Sequence, residues 1–142
     1  MQINYPKILK KNMLNVFKDI ILYIKNNGLD KGHHLYINFD TTNKKVVIPD
    51  WLKAKHPEEM TIIIQYEYWN LNINNTIFEI TLSFNNIKSN LIIPLESIIS
   101  FADPFGNFGL QLLSQKKETL KKGKQENKNE NNVIDFKKFI KN

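Results

Sequence analysis

The sequence predicts a mainly β protein with an N-terminal α-helix, a small closed or half-open β-barrel and a disordered C-terminal tail. Apolar residues recur at helical spacing over residues 6–26 and then at every second position from His33 onward. This apolar pattern ends at Leu112, and residues 114–132 contain almost no apolar side chains. Short strands at this spacing after one helix are typical of a small barrel.

The N-terminal helix is predicted over residues 6–26. Pro6 suits a first helical position, and the Asn-Asn-Gly sequence that ends at Gly28 suits a helix end. Its main apolar face has members three or four positions apart: Leu9, Met13, Val16, Phe17, Ile20 and Ile24. Further apolar residues make this surface wider than one packing partner needs. Two interpretations stay open: the helix packs only on its own domain, or residues 1–28 also form a homodimer contact.

The following segment, residues 29–113, is predicted to hold the barrel. Alternating apolar residues indicate strands in six places: residues 33–39, 44–49, 60–69, 77–84, 91–94 and 108–112. Polar turns are predicted at residues 40–43 and 70–75, and a tight hairpin at residues 85–86. We expect residues 50–58 to be a connection and residues 95–101 to contain a helical turn.

The net charge of +6 is concentrated in the tail. Residues 1–113 contain 11 Lys and 10 Asp or Glu, a net charge of +1, whereas residues 114–142 contain 9 Lys and 4 Asp or Glu, a net charge of +5. All 20 basic residues are Lys. Arg is the better residue for bidentate phosphate and base recognition, so its absence disfavours a nucleic-acid partner.

Several functional classes lack support in the sequence. There is no cysteine, hence no disulfide, thiolate metal site or cysteine nucleophile. No stretch resembles a membrane span or a secretory signal, so we expect a cytoplasmic protein. His33 and His34 are adjacent and would point to opposite faces of a strand, and Asp103 has no identifiable catalytic partner. We therefore expect no enzyme, no metal and no cofactor.

The last ten residues form an apolar island after a polar run. Residues 114–132 are predicted to be a flexible linker, whose random-coil span would be roughly 25 Å. A disordered tail has no core in which to bury the island, so residues 133–142 are best explained as a peptide that docks on another protein. The alternative is a last helix that folds back onto the barrel.

Several blocks together resemble the SspB family, in its alpha-proteobacterial form. They begin with His-His-Leu-Tyr-Ile-Asn-Phe at residues 33–39 and Pro-Glu-Glu-Met-Thr-Ile at residues 57–62. Gln65, Tyr-Trp-Asn-Leu at residues 68–71, and residues 78–84 continue the match in the same order. The later blocks are Ile93-Pro94, Phe101, Asp103-Pro104, Phe-Gly-Leu-Gln-Leu at residues 108–112, and the apolar-basic tail peptide.

The resemblance implies an adaptor that delivers substrates to the ClpXP protease. It implies an Sm-like or OB-like barrel, an N-terminal dimerisation helix and a groove that binds the ssrA tag added during ribosome rescue. The implied groove residues are Leu82, Phe84, Phe101, Phe105 and Phe108. The implied ClpX-docking residues are Val133, Ile134, Asp135, Phe136, Lys137 and Phe139. The family commonly has a small residue where this chain has Phe105, so the shape of the groove is expected to differ.

An alternative function is a barrel that binds single-stranded RNA. Sm-like and OB-like folds often bind single strands through aromatic side chains and positive charge. The nearly neutral body and the lack of Arg disfavour this alternative. Adaptor function is therefore the main prediction, with ClpX, ssrA-tagged peptides and a second copy of the chain as partners.

Overall fold

The computed structural model describes residues 2–112, which form two helices and seven strands. The helices are α1 (Tyr5–Asn27) and α2 (Asp50–Lys55). The strands are β1 (Leu35–Asp40), β2 (Glu59–Ile64), β3 (Trp69–Ile73), β4 (Ile77–Phe84), β5 (Ile87–Pro94), β6 (Ile98–Asp103) and β7 (Phe108–Gln111). This confirms a mainly β fold with an N-terminal helix.

Helix α1 has clear start and stop signals. The side chain of Asn4 accepts a hydrogen bond from the backbone N–H of Lys7 at 3.1 Å, and Pro6 occupies the first turn. At the other end, Gly28 has a φ of 80°, and its N–H donates to the carbonyl of Ile24 at 2.7 Å. A side chain would strain this left-handed backbone, so glycine is the residue that ends the helix here.

The strands form two antiparallel sheets. One has the order β2-β1-β6-β7, and the other has the order β3-β4-β5. The hairpin between β4 and β5 turns through Asn85 and Asn86, whose φ angles are 53° and 65°. Both values suit asparagine in a two-residue hairpin turn, as the sequence predicts. The two sheets and the helix together make a barrel-like fold.

Helix α1 is part of the core and packs against both sheets. The ring of Phe17 meets Phe78 of β4 edge-on at 5.4 Å and Phe101 of β6 at 5.1 Å, measured between ring centroids. All three rings are fully or almost fully buried. Burying one such side chain stabilises the fold by about 1.5–3 kcal/mol. The helix therefore holds the two sheets together.

Two predictions for the segment between β1 and β2 were wrong. Residues 44–49 form no strand, and only Val47 pairs, through an isolated bridge to Ile92. A turn takes up the preceding residues, and Pro49 lacks the N–H that a ladder would need. The predicted connection contains α2 instead, where Leu52 and Lys53 donate their N–H groups to the carbonyl of Pro49.

The long strand predicted over residues 60–69 is in fact broken. Strand β2 ends at Ile64, residues 65–68 bend away, and β3 begins at Trp69. Met60, Ile62 and Ile64 are buried, but the next buried residue in β3 is Leu71. Residues that face one side of a strand are separated by even numbers, so one regular strand cannot bury both Ile64 and Leu71.

The neighbouring boundaries also move. The predicted polar turn over residues 70–75 is mostly strand β3, and the turn itself is centred on Asn74, whose side chain accepts the N–H groups of Thr76 and Ile77 at 2.8 Å each. Only Leu95–Ser97 form the predicted helical turn, as a 3-10 helix, and β6 follows directly. Within residues 2–112, no helix is long and apolar enough to cross a membrane.

Candidate functional site

A groove of about 330 Å³ lies between β2 and the end of β4. Strand β2, the bend after it and β4 each contribute three consecutive or nearly consecutive residues. The lining residues are Thr61, Ile62, Ile63, Gln65, Tyr66, Glu67, Leu82, Ser83 and Phe84. The bend at residues 65–68 belongs to this lining, so the break between β2 and β3 is what opens the groove.

Unpaired strand edges border this groove. Within residues 2–112, strand β2 is the edge strand of its sheet and pairs only with β1. Strand β4 pairs with β3 as far as Thr81, which is opposite Trp69, so in the described part of the chain residues 82–84 pair only with β5. Strand edges present backbone N–H and C=O groups that can pair with another chain. The groove is therefore chemically suited to an extended peptide.

Apolar side chains supply the floor and one wall. Leu82 is only 5% exposed and belongs to the core, whereas Phe84 is half-buried. The ring of Trp51 in α2 packs edge-on against Phe84, with 6.4 Å between centroids. Ile63 of β2 is partly exposed on the other side. An incoming apolar side chain would meet a supported aromatic wall rather than a mobile one.

Tyr66 is the most exposed aromatic residue of the groove, at 75%. Its ring lies edge-on to His34, with 6.1 Å between centroids. The histidine is itself held, because its Nδ1 lies 3.0 Å from the carbonyl oxygen of Gly32 and donates to it. A large exposed ring with a fixed neighbour gives a bound peptide contact area at a low cost in side-chain entropy.

Of the five predicted groove residues, the structure places only Leu82 and Phe84 in the groove. Phe101 is 1% exposed and contacts Phe17 and Phe108 inside the protein. Phe105 is 67% exposed in the turn after β6, where its ring packs against His33. Phe101, Phe105 and Phe108 therefore do not line the groove. The resemblance grouped these three aromatic residues with Leu82 and Phe84.

The sequence did not point to Ile63 or Tyr66, which line the groove, or to Trp51, which packs against Phe84. Trp51 lies in a helix that was predicted as a connection, although Asp50 in its first turn and Lys53 and Lys55 in its last turn are helix signals. Tyr66 was assigned to the middle of a strand. Recognising the break after Ile64 would have placed it in a loop beside the strand edges.

His33 and His34 contact different neighbours, as their adjacency predicts. His33 Nδ1 lies 2.6 Å from Asp103 Oδ2, and the backbone N–H of Gly106 donates to Asp103 Oδ1 at 3.1 Å. Asp103 thus has the partner that sequence reasoning could not identify. One carboxylate oxygen of Asp103 therefore ties the end of β6 to His33, just before β1, and the other stabilises the turn after β6.

The exposed side of α1 carries an apolar stripe. Phe17 and Ile24, which were predicted to lie on a dimer face, are buried in the protein's own core, and Met13 and Ile20 are partly buried against it. Leu9 and Val16 are the predicted members that remain exposed. The residues that form this outer stripe are Tyr5, Ile8, Leu9, Val16 and Tyr23. Exposed apolar surface of this kind marks interaction sites.

Fold and groove together define a small barrel-like domain with an open groove, lined by apolar and polar residues, at two strand edges. The family model of SspB, stringent starvation protein B, matches residues 7–138. The chain therefore belongs to the SspB family, which gives it the general role of a ClpXP protease adaptor. A search of curated proteins found no match.

The family match extends beyond the residues that the structure describes. The match extends to residue 138, but the structure describes the chain only as far as Leu112. The predicted linker and the predicted docking peptide, residues 114–132 and 133–142, lie outside the described part.

Proposed function

We propose that this chain captures the ssrA tag of ribosome-rescued proteins in the groove between β2 and β4 and presents it to ClpX. The observation that carries this proposal is the pair of edges left unpaired within residues 2–112, at residues 61–63 of β2 and residues 82–84 of β4, on either side of one groove. Membership of an adaptor family supports it. The two strand edges and the side chains of the groove suit a peptide.

The peptide binds as an added strand. Its backbone pairs with the free edge of β2 or of β4, which supplies affinity that does not depend on sequence. Alternate side chains then point into the groove, toward Leu82 and Phe84, or out toward Tyr66. Specificity follows from which side chains fit between these residues.

Tethering to ClpX supplies the second half of the mechanism. Residues 133–142 dock on ClpX, with Val133, Ile134, Asp135, Phe136, Lys137 and Phe139 as the contacting residues. The groove holds the tag while the docking peptide holds the unfoldase, so capture of the tag by ClpX becomes nearly intramolecular. The gain is an effective concentration, and it requires no chemistry from the adaptor.

A homodimer through the outer stripe of α1 completes the proposal. The stripe runs along one side of a 23-residue helix, about 34 Å at 1.5 Å per residue. Leu9, Val16 and Tyr23 follow one another at intervals of seven residues, a spacing that keeps them on a common face. Two copies would bring two docking peptides to one ClpX hexamer and add avidity.

The test of tag binding is a fluorescence anisotropy titration with a labelled peptide of the ssrA tag from the same organism. Phe84→Asp places a charge in the apolar wall and should abolish saturable binding. Ile77→Asp is the matched control, because it puts the same charge on the same strand about 23 Å away, at 3.3 Å per residue. Equal loss in both variants, or no loss in Phe84→Asp, would overturn the assigned groove.

A further inference from the structure

A second cleft, of about 460 Å³, lies between α1 and the loops around Asn75 and Leu95. It shares no residue with the groove. Its lining contains four lysines, two asparagines and two leucines: Lys7, Lys10, Lys11, Lys18, Asn15, Asn75, Leu14 and Leu95. We call it the lysine cleft. No carboxylate is among its lining residues, so its charge is uniformly positive.

Three of the four lysines of the lysine cleft lie in a sector of α1 between its core face and the outer stripe, and Lys10 lies on the side of the core face. At about 100° per residue, Lys7, Lys11 and Lys18 fall within roughly 40° of one another around the helix axis. The core face, centred on Phe17 and Ile21, and the outer stripe lie to either side of this sector. The helix therefore presents one face to the core, one to solvent as an apolar stripe, and one as a basic surface.

Two of the lysines are held in position by the rest of the fold. The Nζ of Lys10 donates to the backbone carbonyl of Glu96 at 3.3 Å, and the Nζ of Lys18 donates to the side-chain oxygen of Asn75 at 2.7 Å. The nearby carboxylate of Glu96 accepts a hydrogen bond from Asn43 at 3.1 Å. Neither lysine pairs with a carboxylate, so each ammonium group retains donors for a ligand.

The placement of these charges is unfavourable without an anion. Lys7, Lys10 and Lys11 lie in the first two turns of α1, where the helix dipole is positive, and the first turn contains no acidic residue. Lys7 and Lys11 are also four residues apart, a spacing at which like charges repel. A bound anion would relieve both effects at once.

We propose that the lysine cleft binds a small anion that carries two or more phosphate groups. Four ammonium groups around one cavity match several negative charges, and the volume is that of a small-molecule pocket. Leu14 and Leu95 provide an apolar floor and Asn15 and Asn75 provide amides, so a nucleoside polyphosphate fits as well as inorganic polyphosphate. A nucleic-acid strand is disfavoured because residues 1–113 carry a net charge of only +1.

Isothermal titration calorimetry of the full chain tests this, with ATP, tripolyphosphate and adenosine as separate ligands and without added Mg²⁺, which would compete for the phosphates. We expect saturable binding of ATP or tripolyphosphate, weakened by added salt, and no binding of adenosine. ATP binding more tightly than tripolyphosphate would assign the leucine floor to a nucleoside. Equal affinities would assign the site to the phosphate chain alone.

Lys18→Gln should weaken that binding about tenfold, since it removes a charge-assisted hydrogen bond. Lys25→Gln is the matched control, because the Nζ of Lys25 donates to Asn72 at 2.8 Å just as that of Lys18 donates to Asn75, yet Lys25 does not line the cleft. Both variants keep the same lysine-rich tail and the same net charge. Equal affinities of the two variants for ATP, or absence of saturable binding of ATP and of tripolyphosphate, would overturn the proposal. A single-stranded oligonucleotide titrated in the same way would also overturn it if it bound tightly and neither polyphosphate did.

Discussion

Replacing Tyr66 with alanine is the sharpest perturbation of the groove that leaves the core untouched. A tyrosine offers about 150–250 Å² of surface when fully covered, so at 75% exposure roughly 110–190 Å² is open to a ligand. A peptide that covers half of this area gains about 2 kcal/mol at 25 cal/mol per Å². Tyr66→Ala should therefore raise the Kd for the tag peptide about 30-fold.

The assay is fluorescence anisotropy with a labelled tag peptide, at constant salt. Phe105→Ala is the control, because Phe105 is comparably exposed at 67% but lies outside the groove. Its Kd should stay within about twofold of the parent value, because it offers the peptide no area. The reasoning is refuted if Tyr66→Ala changes the Kd by less than about threefold, or if Phe105→Ala weakens binding as much.

Three further results are expected. Val16→Asp puts a charge into the outer stripe of α1, so sedimentation velocity at micromolar concentration should show only monomer. A parent chain that is already monomeric under the same conditions would contradict the dimer. Deleting residues 133–142 should abolish acceleration of ClpXP degradation while the Kd for the tag stays unchanged; loss of both would contradict separate modules. Phe17→Ala should cost about 3–5 kcal/mol in urea unfolding because it leaves a cavity between the sheets, and a cost below about 1 kcal/mol would show that α1 is not part of the core.

Elements whose signals are local were predictable from the sequence. Helix α1 has a capping asparagine, an early proline and a terminal glycine, and the structure has it within a residue of the predicted bounds. Strand β4 alternates without interruption, and its hairpin with β5 has two asparagines that tolerate positive φ. In each case the local pattern and the tertiary structure agree.

Elements that depend on a change of register along the chain were not predictable from the sequence. Every second residue from Met60 through Tyr68 is apolar, and this alternation continues past the point where the chain leaves the sheet. The alternation therefore favours one long strand. The informative signal was the alternation Asn70-Leu71-Asn72-Ile73, which places the next buried residue at an odd separation from Ile64. Since the groove is opened by that same break, missing it also hid Tyr66.

The exposed apolar side of α1 was predictable from the sequence, but the residues that form it were not. The excess apolar circumference of α1 predicted a second surface, but the sequence could not tell which residues the protein's own two sheets would cover. Only packing shows that Phe17 and Ile24 face inward while Leu9 and Val16 face outward. The resemblance likewise grouped Phe101 and Phe105 with Phe84, although the fold separates them.

Amide hydrogen exchange of the full chain, with and without a saturating tag peptide, tests the central claim most directly. An added strand takes up backbone groups at a free edge, so the peptide should slow exchange in residues 61–63 of β2, in residues 82–84 of β4, or in both. Exchange around Phe105 and along α1 should stay unchanged. Protection at either of those places, with none at the two edges, would contradict the assignment of the groove.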